Sequence, residues 1–291
     1  MTNALIFTDL DGTLLDDRYD LVGAAAAMDR AYDLGAVVVP VSSKTQVEMA
    51  QLRQTQRIPT PFIFENGAGI DWGGALNWGL QTFDFPDGVE VHAMPYPELC
   101  KQLQTLRQEY NFQFVGFNDL AAQQIAALTE LSISGAEQAK QRAASEPIVW
   151  NDTAANRKIF SQKLQQLGLS LQQGGRFYTV TSARQKHDAV STVLMAFSND
   201  LPRQCRVVVC GDSPNDLSML QMADVPLLFN APKSVNGGDL AELDRNNTYE
   251  NMKRFLQVDS DRRKLIEIAG HGHEVWIASV ANELSDISLN S

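Results

Sequence analysis

Apolar runs of strand length alternate with stretches of helical spacing along the first part of the chain. Ala4-Leu-Ile-Phe7 is a short continuous apolar run and predicts a buried strand. Gly23 to Leu34 is rich in alanine and is followed by Gly35, a natural helix stop, so a helix is expected there. Ala36-Val-Val-Val-Pro-Val41 predicts a second strand, Thr45 to Gln54 a second helix, and Pro61-Phe-Ile-Phe64 a third strand. Strand, helix, strand, helix, strand is the order of a parallel α/β sheet. The three predicted strands run into Asp9-Leu-Asp11, Ser42-Ser43-Lys44 and Glu65-Asn66-Gly67, so polar residues gather where each strand stops. In open parallel sheets that edge is where ligands bind.

From about Phe83 the alternation breaks down. Pro86, Pro95 and Pro97 interrupt it. Tyr96 to Glu109 predicts a helix with Leu99, Leu103 and Leu106 on one stripe. A strand over Phe112–Phe117, helices over 121–128, 135–144 and 155–167, and strands over 148–150 and 177–181 complete a mixed α+β stretch. Its length of roughly 100 residues suits a separate domain. The first pattern then returns. A helix is expected from Lys186 to Phe197, strands at Arg206–Cys210 and Val225–Phe229, and helices at Asp216–Met222 and Glu274–Leu284. Gly237-Gly238 and Asn246-Asn247 read as turns. The expected division is therefore a core of residues 1–83 and 186–291 with an inserted domain over 84–185.

Composition narrows what such a chain can do. Its 291 residues exceed one ordinary core, and 44% hydrophobic with 20% charged residues is usual for a globular enzyme. The net charge of -11 disfavours nucleic acid and anionic membranes as partners. An anionic substrate would have to be held by local cations. No apolar run reaches the roughly 20 residues of a membrane span. The opening residues lack a basic region followed by an apolar stretch, and the three cysteines show no C-x-x-C spacing. A reduced, cytoplasmic protein is expected. His271 and His273 lie near each other, but no third ligand accompanies them, so zinc is not expected.

Asp9 and Asp11 are two apart, which puts both on one side of a strand end, and Gly12 allows a sharp turn after them. Two adjacent carboxylates need a cation or a shared proton. Asp-Gly is also a common hairpin turn. Asp212 and Asp216 follow the strand at 206–210 and can reach the same edge, giving a set of oxygen donors suited to Mg²⁺. Ser42, the Lys186 ammonium and backbone N–H groups at helix starts are the available phosphate donors. A P-loop, the third glycine of a dinucleotide fingerprint and an EF-hand ligand at position 7 are all missing.

Asp9-Leu-Asp11-Gly12-Thr13, Ser42 after the second strand, Lys186 opening a late helix and Gly211-Asp212-x-x-Asn215-Asp216 together resemble the four motifs of the haloacid dehalogenase superfamily of phosphohydrolases, in order and over nearly the whole chain. The resemblance implies a Rossmann-like, doubly wound parallel sheet with an inserted α+β cap of the second type. It also implies roles. Asp9 is the nucleophile that forms an aspartyl-phosphate, and Asp11 is the general acid and base. Asp9, Asp11 (through its backbone carbonyl) and Asp212 form the Mg²⁺ site, with Asp216 close by or acting through water. Ser42 and Lys186 hold phosphoryl oxygens, and Asn215 supports the nucleophile or the phosphate.

Closer motifs narrow the resemblance. Ser42-Ser43-Lys44-Thr45, Glu65-Asn66-Gly67-Ala68, Gly116-Phe117-x-Asp119, Arg142-x-x-Ser145-Glu146-Pro147 and Gly174-Gly175-Arg176-Phe177 are similar to those of mannosyl-3-phosphoglycerate phosphatases. That implies a small phosphorylated sugar-glycerate substrate contacted by Ser43, Lys44, Asn66, Gly67, Arg142 and Arg176. The chain departs from the family at Ala143-Ala144, where an acid and an aromatic are frequent, and at His187, where a small residue is usual.

Overall fold

The N-terminal apolar run forms the middle of the molecule's largest sheet. The computed structural model describes residues 4–16, 20–56, 61–74, 76–78, 81–83, 85, 88–173, 177–197, 201, 204–230, 240–257 and 265–289. The first part of the chain runs through β1 (Ala4–Thr8), α1 (Leu21–Asp33), β2 (Ala36–Pro40), α2 (Gln46–Gln56), β3 (Phe62–Phe64), β4 (Gly69–Asp71), β5 (Leu76–Trp78), β6 (Gln81–Phe83) and β7 (Val89–Val91). The inserted part runs through α3 (Tyr96–Tyr110), β8 (Phe114–Gly116), α4 (Ala122–Thr129), α5 (Ile133–Ala139), β9 (Ser145–Trp150), α6 (Ala154–Gln166), β10 (Leu169–Gln173) and β11 (Tyr178–Ser182). The last part adds α7 (Lys186–Phe197), β12 (Arg206–Gly211), α8 (Leu217–Leu220), β13 (Val225–Leu228), α9 (Leu240–Gln257), β14 (Ile266–Glu267) and α10 (His273–Leu289).

Five strands pair in parallel in the order β14-β13-β12-β1-β2. A parallel bridge between Val41 and Ile63 sets β3 beside the end of β2. The chain then reverses, and β3, β4 and β7 pair antiparallel. Side chains alternate across the main sheet as strand geometry requires. Leu5, Phe7, Val37, Val39 and Val209 face one way and pack against Ala189, Val190, Val193 and Phe197 of α7. Ala4, Ile6, Ala36, Val38 and Val208 face the other way, onto Ala24, Ala27, Met28 and Ala31 of α1 and Trp276, Val280 and Leu284 of α10. A parallel sheet covered on both faces explains why its strands read as unbroken apolar runs. The fold is the expected doubly wound α/β type.

The inserted part has its own core. Strands β10-β11-β9-β8 form an antiparallel sheet. Phe114, Ile148 and Val180 from this sheet pack with Leu99, Leu103 and Leu106 of α3 and with Phe160 and Leu164 of α6. Each such buried side chain contributes about 1.5–3 kcal/mol. Helices α4 and α5 form a smaller cluster with Phe117, Ile125, Ala136 and Ala139.

Several sequence expectations shift. Val89–Val91 pairs with β4, so this strand sits with the first part of the chain although a division at 83/84 assigns it to the insert. Asn246-Asn247 does not turn. Both residues lie within α9, whose Tyr249 and Met252 are buried in the main core, and that burial outweighs the weak helix preference of asparagine. Gly237-Gly238 lies outside the described residues. Helix α5 stops at Ala139, before the expected 144, and α8 is a single turn preceded by a 3₁₀ turn at Pro214–Asp216. Among the described residues no helix is long and apolar enough to cross a membrane.

Candidate active site

The ends of β1 and β12 and the start of α7 meet at one edge of the parallel sheet. Asp9 follows β1 directly, and its N–H donates to Cys210 O at 2.9 Å, so it continues the ladder for one more residue. Lys186, the first residue of α7, is 1% exposed. Its Nζ lies 2.5 Å from Asp9 Oδ1 and 2.7 Å from Asp216 Oδ1. Asp216 is also fully buried, and its Oδ2 accepts from the N–H groups of Asp212 (3.1 Å) and Ser213 (3.0 Å). A buried ammonium is stable only if paired, and two carboxylates pair this one. Burial alone would lower the Lys186 pKa, but Asp216 and Asp9 hold it above the ordinary lysine range.

Asp9, Asp212 and Asp216 bring carboxylate oxygens within 4.8 Å of one another. Burial, partly offset by Lys186, pushes the Asp9 carboxyl well above its usual range. Burial, and next the Asp216 charge, push Asp212 up to about 7. Three carboxylates against one ammonium leave uncompensated negative charge, and the donors are hard oxygens. A divalent cation such as Mg²⁺ fits this set, since Mg²⁺ takes one or two carboxylates with waters and phosphate. Gly12 makes the convergence possible. Its φ is +80°, and a Cβ there would overlap the Asp212 carboxylate.

Asp11 stands apart from the buried Asp9 and Asp216 and the half-buried Asp212. Its carboxylate is one-third exposed and pairs with Lys44 Nζ at 2.8 and 3.0 Å. Ser42 is buried, and its Oγ accepts from the Lys44 N–H at 3.2 Å. Ser43 O accepts from Arg142 Nη2 at 3.0 Å. Asn215 Nδ2 donates to Asn66 Oδ1 at 3.0 Å, so the loop after β12 is tied to the loop after β3. Gly67 packs against the start of α7, and its carbonyl accepts from Arg184 Nε at 3.0 Å. Arg142 reaches the core but is engaged there. It donates to Ser145 O, Ser145 Oγ, Ala139 O and Ser43 O. Arg176 lies outside the described residues.

Residues for which the sequence implies no role at this site support this edge. Asn230, at the end of β13, donates from Nδ2 to Gly12 O at 2.8 Å and to Asp212 Oδ2 at 3.2 Å. His271 Nδ1 lies 2.8 Å from Asn230 Oδ1. Thr13 Oγ1 reaches Asp212 Oδ1 at 3.5 Å. The signal available for Asn230 was its place as a polar residue at a strand end; His271 gave none beyond its neighbour His273.

No family model matches the chain. Solved structures do. One from Thermoplasma acidophilum superposes with a TM-score of 0.62 at 16% identity, covering 98% of this chain and all of that one. A phosphatase of the haloalkanoate (HAD) enzyme superfamily from Bacteroides thetaiotaomicron gives 0.55 at 19% identity, over 87% of this chain and 95% of its own. A haloacid dehalogenase-like hydrolase from the same organism gives 0.53 at 16% identity, over 87% and 99%. At these identities the likeness speaks for architecture. The parallel central sheet flanked by helices is that of the haloacid dehalogenase fold.

Proposed function

We propose that this protein is a Mg²⁺-dependent phosphatase that acts through an aspartyl-phosphate on Asp9. The observation that carries the reading is the Asp9 carboxylate, buried at the sheet edge with Lys186 on one oxygen and Asp212 and Asp216 within 4.8 Å. A carboxylate so held is a positioned nucleophile. An Asp9 oxygen bonds to phosphorus while the ester P–O bond breaks, and Asp11, more exposed and two residues on, protonates the leaving alkoxide. Asp11 then takes a proton from the water that attacks phosphorus, releasing phosphate and restoring Asp9. Asp9, Asp212 and Asp216 would hold Mg²⁺, with the Asp11 carbonyl, and the bound ion supplies charge neutralisation on the phosphoryl oxygens. Ser42 and Lys186 donate to those oxygens, and Asn215, steadied by Asn66, supports them.

For substrate, the motif resemblance favours mannosyl-3-phosphoglycerate or its glucosyl analogue, hydrolysed in the cytoplasm in compatible-solute synthesis. In this reading Lys44, paired with Asp11 in the free protein, would meet the substrate carboxylate or phosphate in exchange for it. Ser43, Asn66, Gly67 and Arg176 are the further contacts in this reading. A second reading, a phosphatase of other sugar phosphates, is favoured by Arg142, whose donors are taken up by Ser145, Ala139 and Ser43. A phosphomutase would show itself by retaining the phosphate on a sugar acceptor, and the intact Asp9, Asp11, Lys186 and Asp212 argue against a non-catalytic binding protein.

The test is phosphate release from a panel of glycosyl-phosphoglycerates and hexose phosphates, with and without Mg²⁺. Preference for the glycosyl-phosphoglycerates supports the first substrate reading, and preference for hexose phosphates the second. Asp9→Asn is expected to cut Mg²⁺-dependent turnover about a thousandfold or more while the circular dichroism spectrum stays unchanged. Full activity in that variant sinks the mechanism.

A further inference from the structure

The turn between β3 and β4 uses three successive left-handed residues. Glu65 has φ 47°, Asn66 φ 58° and Gly67 φ 97°. A non-glycine residue at positive φ is uncommon, and two in a row persist only where the surroundings hold them. Here the surroundings are the catalytic loops. Glu65 N–H donates to Lys44 O and Asn66 N–H to Ser42 O, both at 2.9 Å. Asn66 Oδ1 accepts from Asn215, and Gly67 abuts the peptide between Gln185 and Lys186. This single turn therefore touches the segments that carry Ser42, Lys186 and Asn215.

The Glu65 side chain faces elsewhere. It is fully buried, and its carboxylate is bound by the insert. Oε1 accepts from Ala143 N–H at 2.7 Å, and Oε2 accepts from Ala144 N–H at 3.0 Å and from Ser145 Oγ at 2.7 Å. Arg142 Nε stands 3.7 Å from Oε2. Among the described residues all of these partners belong to positions 142–145. Helix α5 has already ended here: Gln141 N–H donates to Gln138 O and Arg142 N–H to Lys140 O, and the next two N–H groups, of Ala143 and Ala144, go to Glu65.

We propose that Glu65 is a positioning residue that makes the geometry around Asp9 depend on docking of the insert. With residues 142–145 seated, the buried carboxylate is satisfied and the turn keeps its left-handed form. Asn66 then holds Asn215, and Gly67 backs the start of α7 that carries Lys186. With the insert lifted, the carboxylate loses its donors. An unpartnered buried charge is costly, so the side chain turns to water and the turn relaxes with it. Closure then assembles the site as well as covering it. The inference rests on the phosphatase reading above.

The test compares Glu65→Gln and Ser145→Ala with wild type in the full chain. Glu65→Gln keeps the side chain's size but replaces an acceptor oxygen by an NH₂ group facing donors. Three readouts are taken: amide hydrogen exchange at Ala143 and Ala144, steady-state kinetics on a small aryl phosphate, and Mg²⁺ affinity by calorimetry without substrate. In Glu65→Gln, exchange at 143 and 144 should rise about tenfold and kcat should fall about tenfold, with KM and Mg²⁺ affinity changed less than about twofold. Ser145→Ala should move the same quantities less, and it carries the test if Glu65→Gln loses its cooperative melt. Faster exchange with unchanged kcat makes Glu65 a docking contact only and overturns the inference, as does exchange that does not change. An inactive wild type overturns the phosphatase reading itself, which an unchanged variant beside an active wild type does not.

Discussion

At the scale of single residues, the site is a problem in charge. Asp9, Asp212 and Asp216 crowd one ammonium, Lys186, where little water reaches. The consequence is clearest at Asp212, whose carboxyl lies up near 7 against an ordinary 3.8. A folded-state pKa raised above the unfolded value contributes stability that is fully present below the unfolded value and is lost as pH rises through the folded one. Metal-free protein should therefore melt lower at roughly pH 8 than at roughly pH 5, and Asp212→Asn should flatten that difference. Mg²⁺ binds the ionised carboxylates, so its stabilisation should be larger at the higher pH. Thermal melts in EDTA and in Mg²⁺ at both pH values check this, and an equal Mg²⁺ shift at both would refute it. The acids themselves were legible in the sequence because all three fall within a few residues of the end of an apolar run. Their supports were not. Asn230 reaches Gly12 and Asp212, and His271 reaches Asn230, only after the sheet has folded, and the polar strand end at Asn230 does not by itself say which acid it meets.

At the scale of elements, strands and helices with a covered face could be read from their period, and junctions could not. β1, β2 and β12 were plain because a parallel sheet buried on both faces leaves uninterrupted apolar runs. Lys186 was recognisable as the start of a helix, but its depth was not, since burial of an ammonium depends on two distant carboxylates. The 65–67 turn shows the limit well. The sequence marks Gly67 as part of a polar strand end, but the demand on that glycine comes from α7, more than a hundred residues on. At Gly67, φ is +97° and a Cβ would stand 2.5 Å from Gln185 O. Gly67→Ala must strain or displace one of the two segments, a destabilisation of about 1–3 kcal/mol. For a chain of this size that is a fall of a few degrees or more in Tm, with kcat reduced as the start of α7 shifts. A variant that melts and turns over like wild type would mean that the turn does not brace Lys186.

At the scale of the whole molecule, two cores are joined where the chain crosses twice. His92 N–H still donates to Ala68 O in the main body, and Arg184 donates to Gly67 O. Between them, Met94 N–H donates to Ser182 Oγ at 2.8 Å, so the outgoing and returning strands of the crossing lie side by side. The insert packs its own aromatic cluster, with Phe160 between Phe112, Phe114 and Trp150, and the main sheet is covered on both faces by helices outside the insert. Neither core borrows its centre from the other. A shortened chain in which a Gly-Ser linker joins His92 to Arg184 should therefore fold with a cooperative melt and keep the cluster of Asp9, Asp212 and Asp216 proposed to hold Mg²⁺. If the insert served only to select substrates, such a chain would hydrolyse a small aryl phosphate as fast as the full chain or faster, because access is open. If residues 142–145 hold Glu65 and Glu65 holds the catalytic loops, the same chain keeps Asp9, Asp11, Ser42, Lys186, Asp212 and Asp216 and should still be slow, about tenfold below wild type in kcat and close to Glu65→Gln. Restoring the insert's contacts restores the rate only through that carboxylate. Combining the deletion with Glu65→Gln should thus give little further loss, and a second full tenfold loss would show that the two act separately.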